Sequence, residues 1–291
     1  MLELKPLKKG IEFAAQASGV DLSKPLNEET AIQIEKAMDR FAVLVWRGQP
    51  LTEEQQIAFA RHYGPLNVGL KKAGKRRERY ANREIIDISN VDPEGRVYER
   101  AHTATISNLA NQLWHSDSSF QKPAMKYSML SAVVVPEKGG QTEFADLRAA
   151  FDSLPDEMKD EIKGKVAEHY AWHSRLWLGD TVTREQAETF PPVQWPLVRK
   201  HAGSGRDVLF VGIHCTHVLG MTLAEGRMLI AELLEHATRR EFVYRHEWRP
   251  GDLVMWDNRC TLHRGRRFDL GARRELRRVT TEDVAPAEAN A

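Results

Sequence analysis

From Ile85 onward the chain is a succession of short apolar runs separated by glycine, proline and Asn/Asp turns, and this punctuation restricts the fold more than any other feature. The runs Ile85–Ser89, Tyr127–Val135, Gly140–Asp146, Asp207–Val211, Arg240–Glu247, Leu253–Asp257 and Leu276–Thr281 read as strands. Helical patterning interrupts them only near Leu147–Val166 and Thr222–Thr238. Many short strands with helices outside do not build the alternating βαβ of a parallel sheet. The pattern predicts a mainly β chain with flanking helices, arranged as an antiparallel jelly roll.

Before residue 85 the periodicity is different. Ile32, Ile34, Ala37, Met38 and Phe41 recur at helical spacing, predicting a helix over Asn27–Arg40, and Ala42–Trp46 follows as a strand. Thr52 with Gln55 three residues on has the form of a capping box, opening a helix to about His62 that Gly64-Pro65 ends. Leu223, Met228, Leu229 and Leu233 make an amphipathic stripe expected to pack in the core. No dinucleotide fingerprint or P-loop is present, and Gly203-Ser204-Gly205 opens no helix.

Composition removes several classes. The chain has 291 residues, enough for one large β-rich domain, and we expect a single domain over 1–291 with 286–291 as a flexible tail. With 42 Lys+Arg against 41 Asp+Glu, no global charge calls for nucleic acid; Lys71–Arg79 is a local basic stretch, either a solvated loop or an anion site. No segment approaches the roughly 18 apolar residues of a membrane span, and Met1–Phe13 lacks the apolar stretch of a signal peptide. Only Cys215 and Cys260 are present, in no CxxC pairing, which disfavours a disulfide scaffold or a cysteine zinc site and fits a reducing cytoplasm.

The chemistry concentrates in Trp114-His115-Ser116-Asp117 and Asp257–His263. If residues 115–117 are extended, His115 and Asp117 point to one side and can offer an imidazole and a carboxylate to one metal ion, with His263 arriving from a distant segment. Two histidines and one carboxylate on one face leave three metal positions open, the requirement of a non-heme Fe(II) oxygenase. Taken alone, His-x-Asp is more often a pair of hydrogen-bonded structural residues. Downstream, Arg274, Leu276 and Arg278 would share one strand face and Glu275 and Arg277 the other, so arginines can point inward while their neighbours face water. An inward guanidinium needs an anion, which a dicarboxylate co-substrate supplies. The remaining histidines have plainer readings. His214 and His217 are structural or pocket-lining, His169 and His173 lack a third ligand, and His62, His236 and His246 are capping or surface residues.

These features come with long co-linear blocks, including VLVWRGQPLTEEQQIAFARHYGPL (43–66), DISNV (87–91), NQLWHSDSSF (111–120), GGQTEFADLRAA (139–150) and GDLVMWDNRCTLHRGRR (251–267). In them the chain resembles the taurine/2,4-dichlorophenoxyacetate dioxygenase family of Fe(II)/2-oxoglutarate-dependent oxygenases, over nearly its whole length and most closely its aryloxyacetate-cleaving branch. The resemblance implies a double-stranded β-helix with Fe(II) held by His115, Asp117 and His263. It also implies 2-oxoglutarate gripped by Arg274 and Thr142 in a pocket walled by Trp256, with O2 as the oxidant and ascorbate as a stimulant. Arg278 would receive the anionic head of a small aromatic substrate, with Asn111, His201 and Lys72 on the substrate side. The implied reaction hydroxylates an aryloxyacetate beside its ether oxygen, giving a phenol, glyoxylate, succinate and carbon dioxide. The alternatives are the same chemistry on taurine, another alkylsulfonate or an aromatic carboxylate, and a cupin-like binding barrel that does no chemistry. A homo-oligomer without nucleic-acid or membrane partners completes the expectation.

Overall fold

A computed structural model describes residues 1–68, 79–100 and 102–284. Lys72, the rest of the basic stretch before Arg79 and the expected tail 286–291 lie outside these residues.

The centre of the fold is a seven-stranded sheet in the order Glu3–Pro6, Ala15–Ser18, Val43–Trp46, Leu253–Asp257, Met125–Val134, Glu275–Glu282 and Ile86–Ser89. A three-stranded sheet, Val243–His246, Thr142–Asp146 and Thr261–Gly265, lies across its inner face. Together they form the expected double-stranded β-helix. Strand alternation divides the side chains between two cores. Val43, Val45, Leu130, Val254 and Trp256 point inward and meet Phe144, Ala145 and Leu262 of the smaller sheet. Leu44, Trp46, Tyr127, Met129, Leu253 and Met255 point outward and are covered by Ile34, Met38, Phe41, Ile57 and Phe59 of two helices. A slip of one residue would exchange the faces, and with each buried large apolar side chain contributing about 1.5–3 kcal/mol, burial on both faces fixes the register.

Those two helices begin where the sequence predicts. Asn27 Oδ1 accepts from the Thr30 amide (2.8 Å) to cap Glu28–Phe41, and the reciprocal Thr52/Gln55 capping box opens Glu53–Arg61. His62 is the C-cap residue of the second helix, in keeping with a capping role.

Several expectations are corrected. Leu147–Val166 is not one helix; it divides into Leu147–Asp152 and Asp156–Ile162 at Pro155, whose ring cannot continue a helix, and Val166 opens a strand. In helix Leu223–Ala237 the buried stripe is Gly226, Leu229, Ile230 and Leu233, while Leu223 and Met228 are exposed. Gly226 sits so close to strand Cys215–Val218 that a Cβ there would lie 2.7 Å from the Val218 amide nitrogen. His236 and His246 are buried rather than superficial, bonded to the Ala150 carbonyl (2.9 Å) and to Asp252 (3.2 Å).

Candidate active site

His115 and His263 meet across the barrel as an isolated bridge. The His115 amide donates to the His263 carbonyl (3.1 Å) and the His263 amide donates back (2.8 Å). His263 belongs to strand Thr261–Gly265, whereas residues 115–117 are not the strand the sequence predicted. His115 makes the one bridge, and Asp117 opens a turn followed by Ser118 in the left-handed region (φ 51°). The turn nevertheless delivers its carboxylate to the two imidazoles. One potential ligand atom from each of His115, Asp117 and His263 lies within 4.8 Å of the others, and all three residues are buried.

Protonation suits a metal. His115 Nδ1 lies 2.7 Å from the Leu113 carbonyl and must donate to it, which leaves the Nε2 lone pair free for a ligand bond. His263 Nδ1 has no partner among the described residues; its ring is held by the Trp256 (4.7 Å) and His115 (4.1 Å) rings instead. Burial pushes both imidazoles down, holding them neutral. Burial opposes ionisation of Asp117, but the Arg278 guanidinium and the Ser128 hydroxyl outweigh it and hold the carboxyl below its usual range. Two neutral imidazoles and one carboxylate, with three positions left open, fit a divalent iron ion.

The cavity beside this cluster is lined by residues that include Asn111, Leu130, Thr142, Trp256, Arg274 and Arg278. Arg274 and Arg278 project inward as predicted. Arg274 is half-buried, its guanidinium without a carboxylate partner among the described residues; it lies within 3.4 Å of the Gly140 carbonyl and over the Phe268 ring. Burial lowers its pKa to about 10, an environment that calls for an incoming anion. Trp248 Nε1 donates to Thr142 Oγ1 (3.0 Å), so the hydroxyl proton of Thr142 is available to a ligand oxygen. Arg278 donates to Asp117. Their strand neighbours do not simply face water. Glu275 is buried between Arg79 (2.6 Å) and Arg273, at a register irregularity between Glu275 and Leu276. Arg79, the described end of the basic stretch, is thereby committed to a structural ion pair.

His201 does not line the cavity. It is buried with Nε2 3.0 Å from Asp257 Oδ2, and Nδ1 accepts the Ser204 amide (3.1 Å), so a long-range carboxylate holds it away from the place predicted for it. His214, buried, stands edge-on to His115 (6.2 Å) and Phe120 (4.9 Å). Ser128 and Trp248 were not singled out in the sequence, and Asn258 entered only as a member of the Asp257–His263 segment, without a role of its own.

Comparison with known proteins agrees with this geometry. Residues 3–280 match the family described as Taurine catabolism dioxygenase TauD, TfdA family. The alpha-ketoglutarate-dependent 2,4-dichlorophenoxyacetate dioxygenase of Cupriavidus pinatubonensis is 60% identical over 94% of this chain and 96% of its own. The (S)-phenoxypropionate/alpha-ketoglutarate-dioxygenase of Sphingobium herbicidovorans is 34% identical over 90% and 89%. Among solved structures, AAD-2 in complex with Mn(II) and N-oxalylglycine superposes with a TM-score of 0.89 at 43% identity, covering 98% of both chains. The chain belongs to the TauD/TfdA family of dioxygenases.

Proposed function

We propose that this enzyme is an Fe(II)- and 2-oxoglutarate-dependent dioxygenase that hydroxylates an aryloxyacetate such as 2,4-dichlorophenoxyacetate at the carbon beside its ether oxygen. The hemiacetal collapses to a phenol and glyoxylate, while 2-oxoglutarate becomes succinate and carbon dioxide. The observation that carries this reading is the pair of inward guanidiniums, Arg274 and Arg278, in one cavity with the His115/Asp117/His263 cluster. Two cations call for two anions, a co-substrate and a substrate. The 60% identity to a 2,4-dichlorophenoxyacetate dioxygenase supports the choice of substrate.

The residues divide the work. His115, Asp117 and His263 would hold Fe(II), which when bound supplies the activation of O2. Arg274 offers its planar fork, and Thr142 its hydroxyl proton, to the distal carboxylate of 2-oxoglutarate. Arg278 takes the substrate carboxylate and so directs the adjacent CH₂ toward the metal. Trp256, Leu130 and Phe268 give the cavity apolar walls that exclude water, and Asn111 belongs to the substrate side. Ascorbate stimulates by keeping the iron reduced. A reducing cytoplasm accords with Cys215 and Cys260, both buried free thiols, and no helix among the described residues is long and apolar enough to cross a membrane. The same reading takes the enzyme as a homo-oligomer, which sedimentation checks.

The test is succinate release from 2-oxoglutarate with Fe(II), ascorbate and air, in the presence of 2,4-dichlorophenoxyacetate, of taurine, or of neither. Phenol release coupled to succinate with the aryloxyacetate, abolished in His115→Ala, is the expected result. Turnover of taurine alone would move the enzyme to sulfonates, and absence of turnover with both would overturn the substrate assignment.

A further inference from the structure

We infer that Asn258 is a positioning residue that makes Asp117 a one-oxygen ligand, acting through Ser128 and Trp256; the inference rests on the metal-centre reading above. Asp117 lies in a turn, with a left-handed residue after it, so no strand ladder orients its carboxylate. A side-chain chain does so instead. Trp256 Nε1 and the Asp117 amide both donate to Asn258 Oδ1, at 2.9 and 3.2 Å. Neither donor can act as an acceptor, so the amide of Asn258 can adopt only one orientation, with its NH₂ toward Ser128. Asn258 Nδ2 then donates to Ser128 Oγ (3.0 Å), and Ser128 Oγ donates to Asp117 Oδ2 (2.7 Å).

The middle link decides the direction. A serine hydroxyl can rotate, and Thr280 Oγ1 stands 3.2 Å away as another partner. With Asn258 filling one of its lone pairs, the Ser128 hydroxyl commits its proton to the stronger acceptor, the ionised carboxylate. Asn258 therefore holds the ligand by its backbone amide and, through Ser128, by Oδ2. Its own backbone is pinned as well: its amide donates to the Lys126 carbonyl (2.8 Å), and Ser116 Oγ donates to its carbonyl (2.6 Å).

The consequence concerns coordination number. Two imidazoles and one carboxylate oxygen leave three of six positions open, and a co-substrate chelating through two atoms plus dioxygen needs all three. A carboxylate free to bind through both oxygens would take one of these positions in competition with the co-substrate. With Oδ2 accepting the Ser128 proton, the carboxylate is biased to offer the metal Oδ1, the oxygen that meets Arg278 here. Because Trp256 also lines the co-substrate cavity, that wall and the metal ligand are oriented by one amide.

The experiment loads the full-length protein with Co(II) and then titrates 2-oxoglutarate, for wild type, Ser128→Ala, Ser128→Thr and Asn258→Ala. Ser128→Ala and Asn258→Ala are expected to bind 2-oxoglutarate on Co(II) about tenfold or more weakly, while binding Co(II) itself within roughly threefold of wild type. Ser128→Thr, which keeps the hydroxyl, restores 2-oxoglutarate binding. A double Ser128→Ala/Asn258→Ala variant loses less than the sum of the two single losses, because both share the route through Ser128. If Ser128→Ala binds 2-oxoglutarate as wild type does, or loses Co(II) and 2-oxoglutarate equally, the inference is overturned. Should Asn258→Ala fail to fold, the Ser128 pair still decides. Failure of wild type to bind Co(II) would instead overturn the metal-centre reading.

Discussion

The Arg278 guanidinium rests on the carboxylate of Asp117, so the cation proposed to receive the substrate is already engaged by the proposed metal ligand. Binding of a metal ion and of an anionic substrate each compete for one half of this pair. Substrate affinity is therefore expected to rise once metal occupies the centre, because metal releases Arg278 from Asp117. Titration of 2,4-dichlorophenoxyacetate into the protein with and without Co(II) measures the difference; equal affinities would remove the coupling.

Replacing Arg278 separates substrate from co-substrate. A charge-assisted hydrogen-bonding pair is worth about 1.5–3 kcal/mol, so Arg278→Ala should raise KM for the aryloxyacetate roughly 10- to 100-fold. KM for 2-oxoglutarate should stay within about twofold, because Arg274, not Arg278, is the residue proposed to receive it. A parallel loss of both affinities would mean that the two arginines share one ligand.

Arg274 tests the unpaired cation from the other side. Arg274→Lys keeps the charge but loses the planar fork, and 2-oxoglutarate binding is expected to weaken by about 1.5–3 kcal/mol. The metal-free Arg274→Met protein should be as stable as wild type or more so, since a half-buried charge without a carboxylate partner is replaced by an apolar chain of similar length. Urea unfolding of the metal-free proteins checks this sign.

Gly226 sets two effects against each other. Alanine gains about 1 kcal/mol of helix propensity over glycine, but its Cβ would stand 2.7 Å from the backbone nitrogen of Val218. Backbone cannot yield as a side-chain tip can, and overpacking of this kind costs about 1–3 kcal/mol. Steric cost wins. Gly226→Ala is expected to lower the urea midpoint, whereas simple propensity would raise it.

His169 gives the protein an acid sensitivity unrelated to catalysis. It is buried against Ser119 and Cys215, and burial, aided by Arg199, depresses its pKa to about 3. A depressed histidine contributes stability that is complete above its unfolded pKa, near 6.5, and lost as pH falls toward the folded value. Over that window each pH unit should cost up to about 1.4 kcal/mol, and His169→Gln should flatten the pH dependence of urea unfolding by that amount.

The sequence made visible what periodicity and residue type carry by themselves. Alternating runs fixed the inner and outer faces of the large sheet, and two histidines with a carboxylate among inward arginines marked the cavity. Long-range pairings stayed hidden. His201 has Asp257 as its partner and Glu275 has Arg79, each set by tertiary contacts that no local pattern announces. Strands Val166–His169, Val193–Pro196 and Cys215–Val218 are short and chemically mixed, and their three-stranded sheet left no alternation to read. Asp117 was expected in a strand, and a turn carries it because Asn258 and Ser128 replace the missing ladder.

Trp256 and His263 lie at the two ends of one short connection, the first in the seven-stranded sheet and the second in the three-stranded sheet. Asp117 is tied by Ser128 to the larger sheet, while His115 bridges to the smaller. A metal ion held by these three ligands would therefore act as a cross-link between the two halves of the barrel. Iron loading should suppress shear between the sheets and slow unfolding as well as enable turnover. Loss of iron would leave each sheet intact but allow them to slide, so an idle enzyme would age by loosening at its seam before either sheet melts.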